Sequence, residues 1–472
     1  MPPSTTPTAA PRRPDSIFGR DYVWVTVGLL SLIVLYAFET LAVTTVMPTI
    51  SAALDGESLY AVAFSGPLAV GVAGMVAAGN WSDRSGPLPV MLTAVVLFVV
   101  GLVIAGTAAS MPILITGRTV HGLGGAALIV ALYVVVARVY PQRMHAVMFG
   151  AFAAAWVVPS MVGPFIAGLV AEFTSWRWVF LGVVVLVLAA MGILKPGLSS
   201  IAAAERTRPA VAREPWRIAR LLWSLGAAAA VLCASLAPRL PGAWLWAGTI
   251  AAFILAGVTL RPLLPAGTLR ARRGLPVVLL IRGLVSGAFL STEVYLPALL
   301  TGEYRLSPPL AGLALTCAGI TWALASWLQG RYSSALSDQG SMRLGSALLV
   351  VAIAASAATS GFALSPLVAI AGWAVAGAGM GTLVPRQSGR VLRLSTPSQQ
   401  GFNSSALLIS DSIGAALALA ATAVVFVAVA PLGNAAIYTA SFLFSAVLAV
   451  GGLLLAGRVG RDVPASAATH PA

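Results

Sequence analysis

An all-α membrane protein that crosses the bilayer many times is the fold class this sequence predicts, and three observations predict it. Of its 472 residues, 59% are hydrophobic and 9% charged, whereas soluble chains carry about 25% charged residues. Apolar runs long enough to span a bilayer, about 20 residues each, recur along the whole length, and in lipid such runs satisfy their backbone groups as helices. Finally, the cations are lopsided. All but five of the 28 Lys and Arg residues fall in loops or span edges on the side bearing both termini. Arg177, Arg239 and Arg305 lie on the other side, and Arg118 and Arg282 fall within spans. By the positive-inside rule both termini are cytoplasmic. The asymmetry requires an even number of spans but does not separate twelve from fourteen. The same positions turn the net charge of +14 away from nucleic acid and toward the membrane.

Fourteen spans follow from the runs: 22–47, 58–79, 88–108, 111–138, 144–170, 177–194, 218–237, 243–260, 275–301, 309–329, 344–361, 366–385, 401–429 and 434–456. Residues 1–21, rich in Pro and Thr, read as a disordered tail. Arg12-Arg13 is followed by no short apolar region with a cleavage site, so the first span reads as permanent. That span holds Tyr36-Ala-Phe-Glu39-Thr40. A carboxylate near a helix centre in hydrocarbon costs roughly 2.5–3.5 kcal/mol. Glu39 therefore faces a cavity, pairs with a cation or holds a proton. A purely structural carboxylate tying two helices together is the alternative.

After span two comes Gly79-Asn-Trp-Ser-Asp83-Arg84-Ser-Gly86, a turn so short that it needs glycine and charge. Asp83 could also meet the positive N-terminal end of a neighbouring helix. Span four carries Arg118, Gly122 and Gly125 at i, i+4 and i+7, on a face that admits another helix closely. Span five carries Pro159, Gly163, Pro164 and Gly168, which predict a bent, tightly packed helix. Ser175-Trp-Arg-Trp-Val-Phe180 marks the edge of span six. The basic, Ala/Pro-rich stretch 195–217 reads as a cytoplasmic linker. Spans 218–237 and 243–260 carry no deep charge and read as an inserted hairpin, after which Arg270-Ala-Arg-Arg273 opens the second half.

These motifs resemble the major facilitator superfamily, in particular its fourteen-span drug:proton antiporter branch. Gly79, Asp83, Arg84 and Gly86 match the loop motif after span two. Arg118 and Gly122 match the span-four motif, and Gly163, Pro164 and Gly168 the span-five motif of antiporters. Phe38-Glu39-Thr40 is similar to the family's acidic span-one motif, with Glu for the usual Asp. Pro87 and Leu88 stand where the loop motif has two basic residues, leaving Asp83 and Arg84 to gate. In the second half, Gln329-Gly330-Arg331 is only a degenerate echo of that loop.

The resemblance implies two six-helix bundles related by a pseudo-two-fold axis, with an inserted two-helix hairpin and a cavity opening alternately to each side. It divides the chain into bundles over 22–194 and 261–456, a linker over 195–217, the hairpin over 218–260 and a second tail over 457–472. It also implies that proton entry drives substrate exit, with no cofactor.

Three acids lie within spans, Glu39, Glu293 and Asp411, and two cations join them. At about 1.5 Å rise per residue, Glu39 and Arg118 sit roughly 13 and 10 Å from the outer ends of their helices, which makes them expected partners. Arg282 and Asp411, roughly 10 and 15 Å from the inner ends, are a weaker candidate pair. Glu293 has no evident cation, and an unpaired acid in oil favours its neutral, protonated form. It reads as a proton or cationic-substrate site, or else as a hydrogen-bonded core acid. Tyr36, Phe152 and Trp156 are candidate lining residues, with Trp322, Trp327 and Trp373 behind them, although core or lipid packing is the simpler role of each. The expected function is therefore a proton-coupled exporter of amphipathic or hydrophobic small molecules, drug- or lipid-like, acting as a monomer in the cell (inner) membrane. A proton-coupled nutrient importer and a non-transporting receptor or scaffold are the alternatives. An enzyme is not expected, because no nucleophile, base and orienter gather at one depth. Cys233 and Cys317, like the three scattered histidines, suggest no metal site. The single lysine, Lys195, is in no phosphate-cradling loop.

Overall fold

The computed structural model describes residues 16–206, 216–332, 335–396 and 399–460. Of the tails expected at 1–21 and 457–472, residues 1–15 and 461–472 lie outside the described residues, as do linker residues 207–215. The helices are α1 (Val23–Ala53), α2 (Val62–Ser85), α3 (Pro87–Gly106), α4 (Met111–Val139), α5 (Gln142–Ala154), α6 (Val157–Phe173) and α7 (Arg177–Arg206). They continue with α8 (Ile218–Leu236), α9 (Ala243–Leu260), α10 (Leu275–Gly302), α11 (Pro308–Arg331), α12 (Asp338–Gly361), α13 (Pro366–Arg393), α14 (Gln400–Val429) and α15 (Asn434–Leu455). They form 14 segments long and apolar enough to cross a membrane, α5 and α6 together making one.

Local chemistry sets the helix ends. Proline opens α3, α4, α10, α11 and α13, where its missing N–H is not needed. Gly86 turns between α2 and α3 at φ +83°, a conformation that favours glycine. The bend expected in span five is a full break at Ala155–Trp156. Pro159 has no N–H to offer the Ala155 carbonyl four residues back, so the helix stops there and restarts. Several helices outrun the expected spans: α1 reaches Ala53, α2 runs through Gly79 to Ser85, α12 begins at Asp338 and α13 reaches Arg393. The largest difference is in α7, which continues past Leu194 to Arg206, so the first part of the stretch read as linker is helical.

Pairing between helices repeats across the two halves. In the first half α3 packs on α4, α2 on α4, α1 on α6 and α7, and α3 on α7. In the second, α12 packs on α13, α11 on α13, α10 on α14 and α15, and α12 on α15. Each pair is the image of the other under a shift that takes α1 to α10. The contacts between halves, α6 with α11 and α14 with α2, exchange under the same operation. This is the pseudo-two-fold arrangement of two six-helix bundles. The hairpin α8–α9 stands outside it, with α8 packed on both α2 and α14 over the seam. A hydrogen bond between Ser65 and Ser235 (2.8 Å) ties α8 to α2.

Close approach between the bundles gathers in the half of the membrane opposite the termini. There, glycines let backbones meet: Gly168 against Pro309, Gly312 against Pro164, and Gly319 against the Ser160 carbonyl. Nearby, the Tyr60 hydroxyl donates to the Val294 carbonyl across 2.9 Å. Toward the terminal face, α5 packs on α4, α1 and α6 of its own bundle. Thr40, at the middle of α1, a helix that packs on members of both bundles, is nevertheless exposed, so the interior opens toward the terminal face.

A Cβ on Gly319 would collide with the Ser160 carbonyl. Gly319→Leu is thus expected to prise apart the α6–α11 seal and favour the state open on the opposite face. Labelling of Thr40→Cys by an impermeant maleimide, with Cys233 and Cys317 replaced by Ser, should fall several-fold from the terminal face and rise from the other. An unchanged ratio would count against a seal at this contact.

Candidate functional site

Three ionisable side chains are buried together where α1 meets α4: Glu39 (1% exposed), Arg118 (5%) and His121 (4%). His121 Nε2 lies 2.9 Å from Glu39 Oε2. The expected Glu39–Arg118 pair is not formed. His121, one turn along α4 from Arg118, takes the carboxylate instead, while the Arg118 guanidinium lies over the Phe64 ring of α2, 5.1 Å from its centroid. Arg118 Nε and Nη1 are buried with no hydrogen-bond partner among the described residues. Glu39 and Tyr60 are its electrostatic neighbours. Lone charges this deep are costly, so the cluster keeps two basic groups within reach of one acid.

Aromatic rings wall this cluster. Phe98 stands 4.6 Å from the His121 ring and Tyr36 stacks on it at 6.5 Å. Gly125, on the small face of α4, leaves room for the Tyr36 ring, and Gly122 lets α4 meet Pro67 of α2. On its other edge Tyr36 meets Trp156 at 5.8 Å, edge to face, just after the break between α5 and α6. Tyr36, Thr40 and Trp156 thus form a strip from the buried acid to the open cavity.

In the second bundle, Arg282 of α10 pairs with Asp411 of α14 at 2.6 Å, as the depth comparison suggested. Ser286 donates to the same Asp411 oxygen, and Arg282 Nη1 reaches Gln387 Oε1 at 3.4 Å. Asp411 is 34% exposed and lies within electrostatic range of the Tyr36 hydroxyl. Glu293 is buried, 8% exposed, and has no ion pair among the described residues; beside it, the Val294 carbonyl accepts from Tyr60 and the Tyr295 ring lies 5.6 Å from that of Tyr60. Glu293 therefore forms no ion pair with the Glu39 cluster, and its chain neighbours Val294 and Tyr295 meet Tyr60 across the bundles. Among the reserve aromatics, Trp373 is core, stacked on Phe289 at 4.8 Å. Trp322 meets the same Phe289 at 5.5 Å, and Trp327 is 60% exposed.

The expected gate residues fall in two places. Asp83 and Arg84 end α2 at the terminal face, where Arg84 lies over Trp216 (5.3 Å) and Arg138 of α4 donates to the Ser82 carbonyl (2.8 Å). A Cβ on Gly79 would meet nothing within 4 Å, and Gly86 makes the turn. Gly163 faces Phe38, while Pro164 and Gly168 form the contact with α11.

Sequence reasoning missed two groups. One is His121, expected only as one of three scattered histidines, although its i, i+3 spacing from Arg118 puts both on neighbouring faces of α4. The other is Arg386, Arg390 and Arg393, expected merely as loop cations. Their i, i+4, i+7 spacing makes one face of α13, and all three converge on buried Asp338 of α12, Arg386 at 3.6 Å and Arg390 at 3.4 Å.

Residues 29–419 match the model of the Major Facilitator Superfamily. The chain is similar to an "MFS-type transporter ppz2" of Metarhizium majus, 27% identical over 65% of this chain and 55% of that protein. It is also similar to "Multidrug resistance protein 3" of Bacillus subtilis, 30% identical over 33% of this chain and 31% of that one, and to the "MFS-type efflux pump LUC4" of a Fusarium species, 28% identical over 38% and 31%. It thus spans about half the length of the first of these relatives and about a third of the other two. Among solved structures, an auto-inhibited POT family peptide transporter superposes with a TM-score of 0.66 at 16% identity, over 95% of this chain and 99% of that one. At that identity the likeness is one of fold.

Proposed function

The chain belongs to the major facilitator superfamily, a family of transporters rather than enzymes, and from that premise we propose that it is a proton-coupled secondary transporter exporting amphipathic or hydrophobic small molecules by alternating access. The observation that carries this reading is the buried Glu39–His121–Arg118 cluster joined to the open cavity by Tyr36, Thr40 and Trp156. Relatives named as a multidrug resistance protein and an efflux pump support export. The placement of the arginines supports a cell-membrane protein with both termini in the cytoplasm, which makes the present state inward-facing.

In that state the Glu39–His121 pair gives its proton to the cytoplasmic side. The carboxylate left behind, together with half-buried Asp411, draws in an amphipathic cation whose apolar part lies on Tyr36 and Trp156. Separation of α6 from α11 then opens the other face. Protonation of Glu39 from outside removes the charge that held the substrate and releases it. Binding of the proton and the substrate is thus mutually exclusive at one carboxylate, and that exclusion is what couples the two fluxes.

Inverted vesicles with an imposed pH gradient, screened with fluorescent lipophilic cations, provide the test. Uptake into the acidic interior should appear with the gradient and collapse when a protonophore dissipates it. Accumulation that ignores the gradient would overturn proton coupling, and uptake of substrate into intact cells by the protein would overturn export.

A further inference from the structure

We infer that the chain carries a binding site for an anionic phospholipid on the outer surface of its second bundle, separate from the transport cavity. A slot of about 210 Å³ runs between the hairpin helix α9 and helices α10, α14 and α15. Phe253, Leu260 and Leu269 line one wall, and Gly283, Ser410 and Gly414 lie where α10 and α14 meet behind it. The lining is almost wholly hydrocarbon, and the slot ends at the loop 261–274, which joins α9 to α10 at the membrane edge on the terminal face.

That loop is built rather than loose. Leu263 and Leu264 are buried beneath it, and Thr268 Oγ1 donates to the Pro265 carbonyl at 2.7 Å. Gly267, at φ +91°, lies against the stem of Arg272. On this frame stand four exposed arginines, Arg261, Arg270, Arg272 and Arg273. Leu260 and Leu269 of the slot wall are each followed directly by one of them, Arg261 and Arg270. No Asp or Glu occurs between Leu236 and Glu293, so the segment holds no acid of its own to neutralise them.

A basic rim at headgroup depth above an apolar slot is complementary to one kind of molecule, anionic at its head and hydrocarbon below. The phosphodiester would meet Arg261 and Arg270, and one acyl chain would lie in the slot. The back of the slot is where Gly283 approaches the Ser410 carbonyl, residues that adjoin the Arg282–Asp411 pair in sequence. A seated lipid therefore supports the α10–α14 contact that carries that pair.

The test is thermal unfolding of the full-length protein in detergent, with added phosphatidylglycerol, phosphatidylcholine or inorganic phosphate. Phosphatidylglycerol should raise the midpoint by several degrees, and the other two should leave it in place. The double variant Arg261→Gln, Arg270→Gln should lose that gain. So should Ala421→Phe, which fills the slot with the arginines intact and keeps the test decisive if the double variant expresses poorly. An equal gain with phosphatidylcholine, or with phosphate alone, would overturn the proposal, as would a gain that survives in both variants.

Discussion

Glu39→Gln is expected to lower proton-driven transport about a hundredfold while the protein still folds. Gln keeps the shape of the side chain and removes only its ability to ionise. Because Glu39 is 1% exposed, and charge in hydrocarbon is disfavoured by roughly 2.5–3.5 kcal/mol, the neutral amide costs the fold no more than the acid does. What it removes is the group on which proton and substrate exclude one another. The hundredfold loss corresponds to about 2.7 kcal/mol at 1.36 kcal/mol per factor of ten. Gln stands in for the protonated acid, the form that has released the substrate, so two readouts should fall together: gradient-driven accumulation in vesicles, and exchange of labelled for unlabelled cationic substrate without a gradient. Accumulation at the wild-type rate would show that coupling does not run through this residue. Exchange that persists at the wild-type rate would show that this carboxylate does not hold the substrate, and a lowered unfolding midpoint would make Glu39 a structural residue.

Spans were legible because bilayer thickness imposes a length on each apolar run, and no tertiary context overrides it. Arg282 and Asp411 could be paired because both depths were countable from a helix end. Depth fails for Arg118, because it fixes height and not azimuth. Arg118 and His121 stand at nearly the same height on α4, about 4.5 Å apart along the axis. Which of them meets Glu39 depends on the rotation of α4 against α1, set by Gly125 admitting Tyr36. The Asp338 cluster was hidden for another reason. Arg386, Arg390 and Arg393 satisfy the positive-inside rule, and that sufficient explanation obscured their helical spacing. The break at Ala155 was legible only as a bend, since a proline names the carbonyl it deprives but not how far the helix parts.

Asp338→Asn should act in the opposite way to Glu39→Gln, lowering stability by about 3 kcal/mol while leaving the proton-to-substrate ratio of the folded fraction unchanged. Asp338 is 1% exposed at the start of α12, and three arginines of α13 converge on it. Arg390 is 8% exposed and Arg386 16%, so two guanidinium groups would lose this anion in a nearly dry setting. Removing one partner of such a pair costs about 3–5 kcal/mol, and the lower end applies because Arg393, 54% exposed, can turn to water. The carboxylate also sits in the first turn of α12, where negative charge favours the helix dipole by about 0.3–1 kcal/mol. Asn keeps an acceptor but loses both charge effects. Neither effect reaches the Glu39–His121 pair in the other bundle, so coupling has no route by which to change. Denaturant unfolding of the purified variant measures the first half of this expectation, and the flux ratio in vesicles the second. A loss below about 1 kcal/mol would mean that water already carries the arginines. A changed ratio would mean that the α12–α13 clasp is part of the switch rather than a brace within one bundle.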